Sequence, residues 1–159
     1  MRKNESDEIR RRLRAEDSRY ITSRSPFYHP VRMLARYATR MNAVLKPSGI
    51  DVPRWRVLTL LTEQKVMTVS KIAEESVVHI STMTKTITRM ASEGLVKVRT
   101  SSTDARATEV MITSAGRKLL EQSREKVKGV FRESLRGLSK TEVKLLNSLS
   151  ARIFENLAP

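Results

Sequence analysis

From Val31 to Leu45, apolar residues recur at steps of three and four: Val31, Leu34, Ala38, Met41 and Leu45. That spacing places them on one face of an α-helix. Lys46-Pro47-Ser48-Gly49 supplies the stop. Asp51 offers an N-cap for a second helix, with Pro53 tolerated in its first turn. Trp55, Leu58 and Leu61 are its expected inward face, flanked by Val57 and Leu60. Thr68 or Ser70 opens a short helix through Glu75, with Val69, Ile72 and Ala73 turned inward. Ser76 to His79 is a turn. The next helix is expected from Ile80 to Glu93, with Ile80, Met83, Ile87 and Met90 inward, and Gly94 ends it.

The pattern then changes. Gly94-Leu95-Val96-Lys97-Val98 reads as a strand, Arg99 to Ala107 as a polar loop, and Glu109 to Thr113 as a second strand. Thr113 caps a long helix reaching about Gly137, lined by Leu119, Leu120, Val127, Val130, Phe131 and Leu135. Ser139-x-x-Glu142 is a capping box for a last helix, whose stripe is Val143, Leu146, Leu149, Ile153 and Leu157. Helix, helix, strand, basic loop, strand is the order of a winged helix-turn-helix. The expected fold is mainly α with a small β-hairpin wing, and with a helical dimerisation region attached. The expected divisions are a charged arm over residues 1–25, dimerisation segments 26–50 and 113–159, and a DNA-binding domain 51–112.

Charge sharpens this picture. Lys and Arg number 31 against 17 Asp and Glu, a formal +14, so the expected partner is an anionic polymer. The arm carries Arg10, Arg11, Arg12 and Arg14 among several acids. It reads as a docked helix, a phosphate-touching arm or a solvated tail. With no cysteine, disulfides, thiolate zinc sites and thiol redox sensing are excluded. His29 and His79 have no neighbour at ligand spacing, so neither metal nor cofactor is expected. An enzyme would need a nucleophile–base pair, a metal cluster or a glycine-rich phosphate loop, and none is visible. No apolar run approaches the ~20 residues of a membrane span, and a cytoplasmic protein is expected.

The candidate chemistry is DNA reading. At about 100° per residue, Ser81, Lys85, Thr88 and Ser92 lie opposite the core stripe, flanked by Thr84 and Arg89, with Thr82 beside them. Small hydroxyls and a cation suit a major groove, and threonine methyls suit thymine methyls. Arg99 and Arg106 make the loop cationic and fit a minor groove or its phosphates. Asp104 either is placed to hold the Arg106 guanidinium in a fixed orientation or is a simple turn residue.

Ser81-Thr82-Met83-Thr84-Lys85, Gly94-Leu95-Val96, Asp104-Ala105-Arg106 and Ile112-Thr113-Ser114-Ala115-Gly116 together resemble the MarR family of transcriptional regulators. The family pattern is Ser-Thr-Val-Thr-Arg, Gly-Leu-Val, Asp-Arg-Arg and Leu-Thr-x-x-Gly, in this order. Lys85, Val98 and Ala105 stand where the family usually carries Arg. The resemblance implies a homodimer with interleaved terminal helices on a pseudo-palindromic operator. It also implies release by a small anionic aromatic bound between the dimer helices and the DNA-binding domain. The residues suited to such a ligand, an aromatic carboxylate or aromatic acyl-CoA, are Phe27, Tyr28, His29, Arg32, Arg36 and Trp55. Arg124 and Lys128 could meet the phosphates of a CoA ester. The expected function is a ligand-responsive repressor. The alternative is an architectural DNA-binding protein with little sequence choice.

Overall fold

A computed structural model describes residues 25–158, so the charged arm expected at the N-terminus lies almost wholly outside the described residues. Helix α1 spans Tyr28–Leu45, and the chain divides into two units within it, between Tyr37 and Ala38. A 3₁₀ turn, Lys46–Ser48, follows. Then come α2 (Val52–Glu63), β1 (Met67–Thr68), α3 (Val69–Ser76), α4 (Ile80–Ser92), β2 (Val96–Thr100), β3 (Thr108–Ile112), α5 (Ser114–Ser134) and α6 (Lys140–Asn156). Helix α1 begins three residues before its expected start, because Pro30 sits in the first turn, where its missing N–H breaks no helical bond.

The caps are local chemistry. Asp51 accepts from the Arg54 N–H at 3.0 Å, Thr68 from the Lys71 N–H at 3.2 Å and Thr113 from the Gly116 N–H at 3.0 Å. Ser139 and Glu142 form both halves of a capping box. The Ser139 backbone N–H and hydroxyl hold the Glu142 carboxyl below the usual carboxylate range. Val77 turns the chain between α3 and α4 in the left-handed region, at φ 53°, an uncommon place for a β-branched residue.

The second unit buries one core. Met41 and Leu45 of α1, Val57, Leu58 and Leu61 of α2, Ile72 of α3, Met83, Ile87 and Met90 of α4, Val96 and Val110 of the sheet, and Val127 and Val130 of α5 are all buried. Each such aliphatic side chain contributes about 2 kcal/mol through burial. The sheet has three antiparallel strands in the order β1-β3-β2. Val96 pairs with Ile112 and Val98 with Val110, so the buried residues of the wing share one face. Met67 pairs with Val110 on the other edge. This short third strand was not expected, since two residues carry no readable alternation.

Three inward assignments need correction. Ile80 is 57% exposed rather than core. It opens α4, so no preceding turn covers it, and it faces a cleft beneath the wing. In α2, Trp55 is half-buried, while Arg54 is buried at 7% exposure. Phe131 is 43% exposed, since α5 turns it to a surface cavity. The stripe of α6 stays open as well: the helix has no buried residue, and Leu146, Leu149, Ile153 and Leu157 are exposed.

Gly116 decides how closely α5 approaches the sheet. A Cβ there would lie 2.3 Å from the Leu95 carbonyl oxygen and 3.2 Å from Leu58 Cδ2. Gly116→Ala is therefore expected to lose about 2 kcal/mol, an overpacking cost partly offset by alanine's better helix propensity. Urea denaturation checks this, and a variant as stable as the parent contradicts the close approach.

Candidate nucleic-acid interface

Helix α4 presents two faces. Met83, Ile87 and Met90 bury inward, and Ser81, Thr82, Thr84, Lys85, Thr88 and Arg89 are exposed. The structure thus brings these six residues, with the exposed Ser92 at the end of the helix, onto the outer side of α4. The hydroxyls are partly committed. Thr84 donates to the Ile80 carbonyl at 2.8 Å and Thr88 to the Thr84 carbonyl at 2.9 Å. Outward, these side chains offer methyls and acceptor lone pairs, which suit thymine methyls and the amino groups of adenine or cytosine.

A cleft of about 400 Å³ separates α4 from the wing, lined in part by Ile80, Thr84, Thr88, Val98 and Arg106. Arg106 therefore shares a surface with α4, although the two are joined through the whole hairpin. Asp104 does not grip its guanidinium, as expected from sequence. The carboxylate accepts from the Arg106 backbone N–H at 2.9 Å, and the Asp104 carbonyl accepts from the Ala107 N–H at 2.9 Å. Asp104 shapes the turn, a common use of a short carboxylate.

Arg99 has a partner within the hairpin. It lies in β2, directly opposite Glu109, and its Nε donates to that carboxylate at 2.8 Å. The polar loop is Ser101–Ala107, shorter than expected, and its outward cation is Arg106. Ser101 donates to the other Glu109 oxygen at 2.9 Å. The Arg99 and Ser101 hydrogen bonds hold the Glu109 carboxyl below the usual carboxylate range.

Sequence reasoning missed a polar knot behind α4. Arg54 Nη1 donates to Glu93 Oε2 at 2.7 Å, its Nη2 to the Gly49 carbonyl at 2.8 Å, and its Nε lies 3.3 Å from Asp51 Oδ1. Glu93 Oε1 accepts from Arg89 Nε at 2.9 Å. The Arg89–Glu93 spacing of four was a readable helix pair. The Arg54–Glu93 contact, across 39 positions, carried no local signal.

The expected ligand residues fall in different units. In the first, Arg32 Nη1 donates to the Tyr28 hydroxyl at 2.6 Å, with the guanidinium 4.9 Å from the ring centroid. His29 meets the same ring edge-on at 5.0 Å. Phe27 and Arg36 are exposed there. In the second, Trp55, Arg124 and Lys128 line one cavity of about 330 Å³ between α2 and α5, with Leu120, Val127 and Phe131 as its apolar wall. Arg124 is paired with Glu121 at 3.2 Å and Lys128 with Glu125 at 2.6 Å. Among the described residues, no helix is long and apolar enough to cross a membrane.

The lowered Glu109 value fixes a sign. A depressed carboxyl stabilises the fold above its ordinary unfolded value, and that contribution fades as pH falls through the folded one. Carboxyl-resolved NMR is expected to show Glu109 titrating below the usual carboxylate range, with wing amide protection falling at the same pH. Glu109→Gln should abolish that step. Titration of Glu109 in the usual range contradicts the assignment.

Comparison with known proteins agrees with this architecture. The MarR family model matches residues 50–108. The HTH-type transcriptional repressor IacR of Pseudomonas putida is 38% identical over 132 residues, covering 83% of this chain and 79% of that protein. Among solved structures, Bordetella bronchiseptica BpsR, studied for regulation of its DNA binding by 6-hydroxynicotinic acid, superposes with a TM-score of 0.77 at 19% identity, covering 89% of this chain and 99% of that one. CouR from Rhodococcus jostii RHA1, bound to p-coumaroyl-CoA, gives 0.76 at 20% identity, covering 85% and 95%. At such identities the structures establish the fold, whereas the Pseudomonas relative establishes kinship. The chain belongs to the MarR family of transcriptional regulators.

Proposed function

We propose that the protein is a homodimeric repressor that leaves a pseudo-palindromic operator when an aromatic carboxylate or aromatic acyl-CoA binds. The observation that carries DNA reading is the shared outer surface of α4 and Arg106, polar and cationic beside a buried apolar stripe. Within it, Ser81, Thr82, Thr84, Lys85, Thr88 and Arg89 take the major groove, and Arg106 takes the adjacent minor groove or its phosphates. Lys85 is a point charge and suits a phosphate or a single base acceptor. Asp104 acts by shaping the wing tip, and Arg99 by holding the hairpin through Glu109.

The dimer follows from apolar surface without a cover. Val31 and Leu34 of α1 are 62% and 58% exposed, and Leu146, Leu149, Ile153 and Leu157 of the last stripe are exposed as well. A second copy burying both stripes removes that surface from water and sets two α4 helices about a two-fold axis. Segments 26–50 and 113–159 serve the dimer on this reading, and 51–112 serve DNA.

The effector reading rests on the α2–α5 cavity. Trp55 and Phe131 offer aromatic faces, and Arg124 and Lys128 stand on the same wall. A planar anion gains stacking and charge pairing there, in competition with Glu121 and Glu125. The small molecules named for two proteins of the same fold, 6-hydroxynicotinic acid in the regulation of BpsR and p-coumaroyl-CoA bound to CouR, are of the two kinds expected. Only a ligand with different affinity for the two arrangements of the dimer shifts DNA binding.

Two experiments test the reading. Lys85→Ala and Arg106→Ala are each expected to weaken binding to a duplex selected by the wild-type protein from a random pool, lowering the salt slope by about 1 if the contact is to phosphate. Unchanged binding by both variants refutes the face. A wild-type protein that selects no sequence instead supports an architectural role. Trp55 is the only tryptophan, so its emission reports on the cavity. Aromatic acids and their CoA esters that quench it should also raise the thermal midpoint and release the duplex. Quenching without release separates binding from regulation.

A further inference from the structure

We infer that Glu93 is a positioning residue for sequence discrimination: clamped from behind by the buried Arg54, it fixes the Arg89 guanidinium on the outer face of α4. The inference rests on the DNA-reading proposal and adds to it a residue at the C-terminal end of α4.

Glu93 caps the C-terminal end of α4. A carboxylate there meets the negative end of the helix dipole and is disfavoured on its own. Two guanidinia compensate for it. Arg54 takes Oε2 at 2.7 Å and Arg89 takes Oε1 at 2.9 Å, so one carboxylate bridges a buried cation and an exposed one. The Arg54 side chain is 9% exposed, and the Arg89 side chain 67%. Arg54 is itself immobilised by Asp51 and by the Gly49 carbonyl, both at the start of α2. The clamp therefore runs from a rigid, buried anchor to a solvent-facing reader.

The grip is on Nε, and that detail decides the role. A guanine is read by two parallel N–H donors, and the terminal nitrogens of an arginine held at Nε still supply such a pair. Fixing the fork beforehand lowers the ordering cost of the correct contact, and a wrong base then leaves a preset donor unpaired. Lysine at position 89 would keep the charge and lose the fork. Lys85, the other candidate on this face, has no fork to orient, so directional recognition falls to Arg89.

The test uses the full-length protein and two duplexes: one selected by the wild type from a random pool, and a scrambled version. The readout is the affinity ratio between them at fixed salt, with circular dichroism and thermal midpoint as folding controls. Arg89→Lys and Glu93→Gln are each expected to lower the ratio by about tenfold, the size of one bidentate contact. The double variant should lose no more than Arg89→Lys alone, because without the guanidinium Glu93 has no fork to orient. A loss in only one variant, or losses that multiply, overturns the inference. If Glu93→Gln fails to fold, Glu93→Asp takes its place, since the shorter carboxylate keeps the charge and loses the reach to Arg89 Nε: a wild-type ratio overturns the inference and a lowered ratio upholds it. A wild-type protein with no preference between the duplexes would instead refute the DNA-reading proposal on which the inference stands.

Discussion

The rest of the second unit depends on one close approach, where the start of α5 lies against the chain leaving α4. Thr113 makes the junction. Its hydroxyl donates to the Gly94 carbonyl at 2.7 Å and accepts from the Gly116 N–H at 3.0 Å, while its own N–H donates to the Leu95 carbonyl at 3.1 Å. Gly116 follows because no side chain fits over Leu95. Gly94, at φ 73°, supplies the left-handed turn that brings Leu95 there. A threonine, a bare backbone and a left-handed glycine thus tie the end of α4, the entry to β2 and the start of α5 into one rigid corner.

The second organising feature is how the fold sorts its many cations. Excess positive charge attracts DNA without choosing a sequence. The structure assigns Arg54 to the interior beside Glu93, Arg99 to a cross-strand pair with Glu109, and Arg40 to Glu133 on α5. Lys85 and Arg106 stay on the outer surface of α4 and the wing. Helix α2 connects two of these jobs. Arg54 faces the end of α4, whereas Trp55, Thr59, Thr62 and Glu63 line the cavity against α5. Neighbouring positions on one helix therefore touch the proposed effector space and the end of α4.

How far the chain could be read in advance differs by residue. The helices, the Asp51, Thr113 and Ser139 caps, the Gly94 stop and the polar face of α4 were legible, since each depends on spacings of a few residues. Ile80 misled because periodicity ignores the missing turn at a helix start. Asp104 misled because proximity in sequence does not say whether a carboxylate prefers a guanidinium or a backbone N–H, and in a tight turn the N–H is nearer. Arg99 was placed in the loop because alternation does not fix where a strand ends.

By itself, then, the sequence determined the order of elements, the two-faced α4, the charge that favours DNA and the family motifs, because local spacing, capping and composition suffice for these. Tertiary structure alone decided which cations are held internally and which face outward. It also placed Trp55 in a cavity with Arg124 and Lys128, and made Gly116 obligatory. Those outcomes depend on contacts between segments distant along the chain, where separation in sequence carries no information about separation in space.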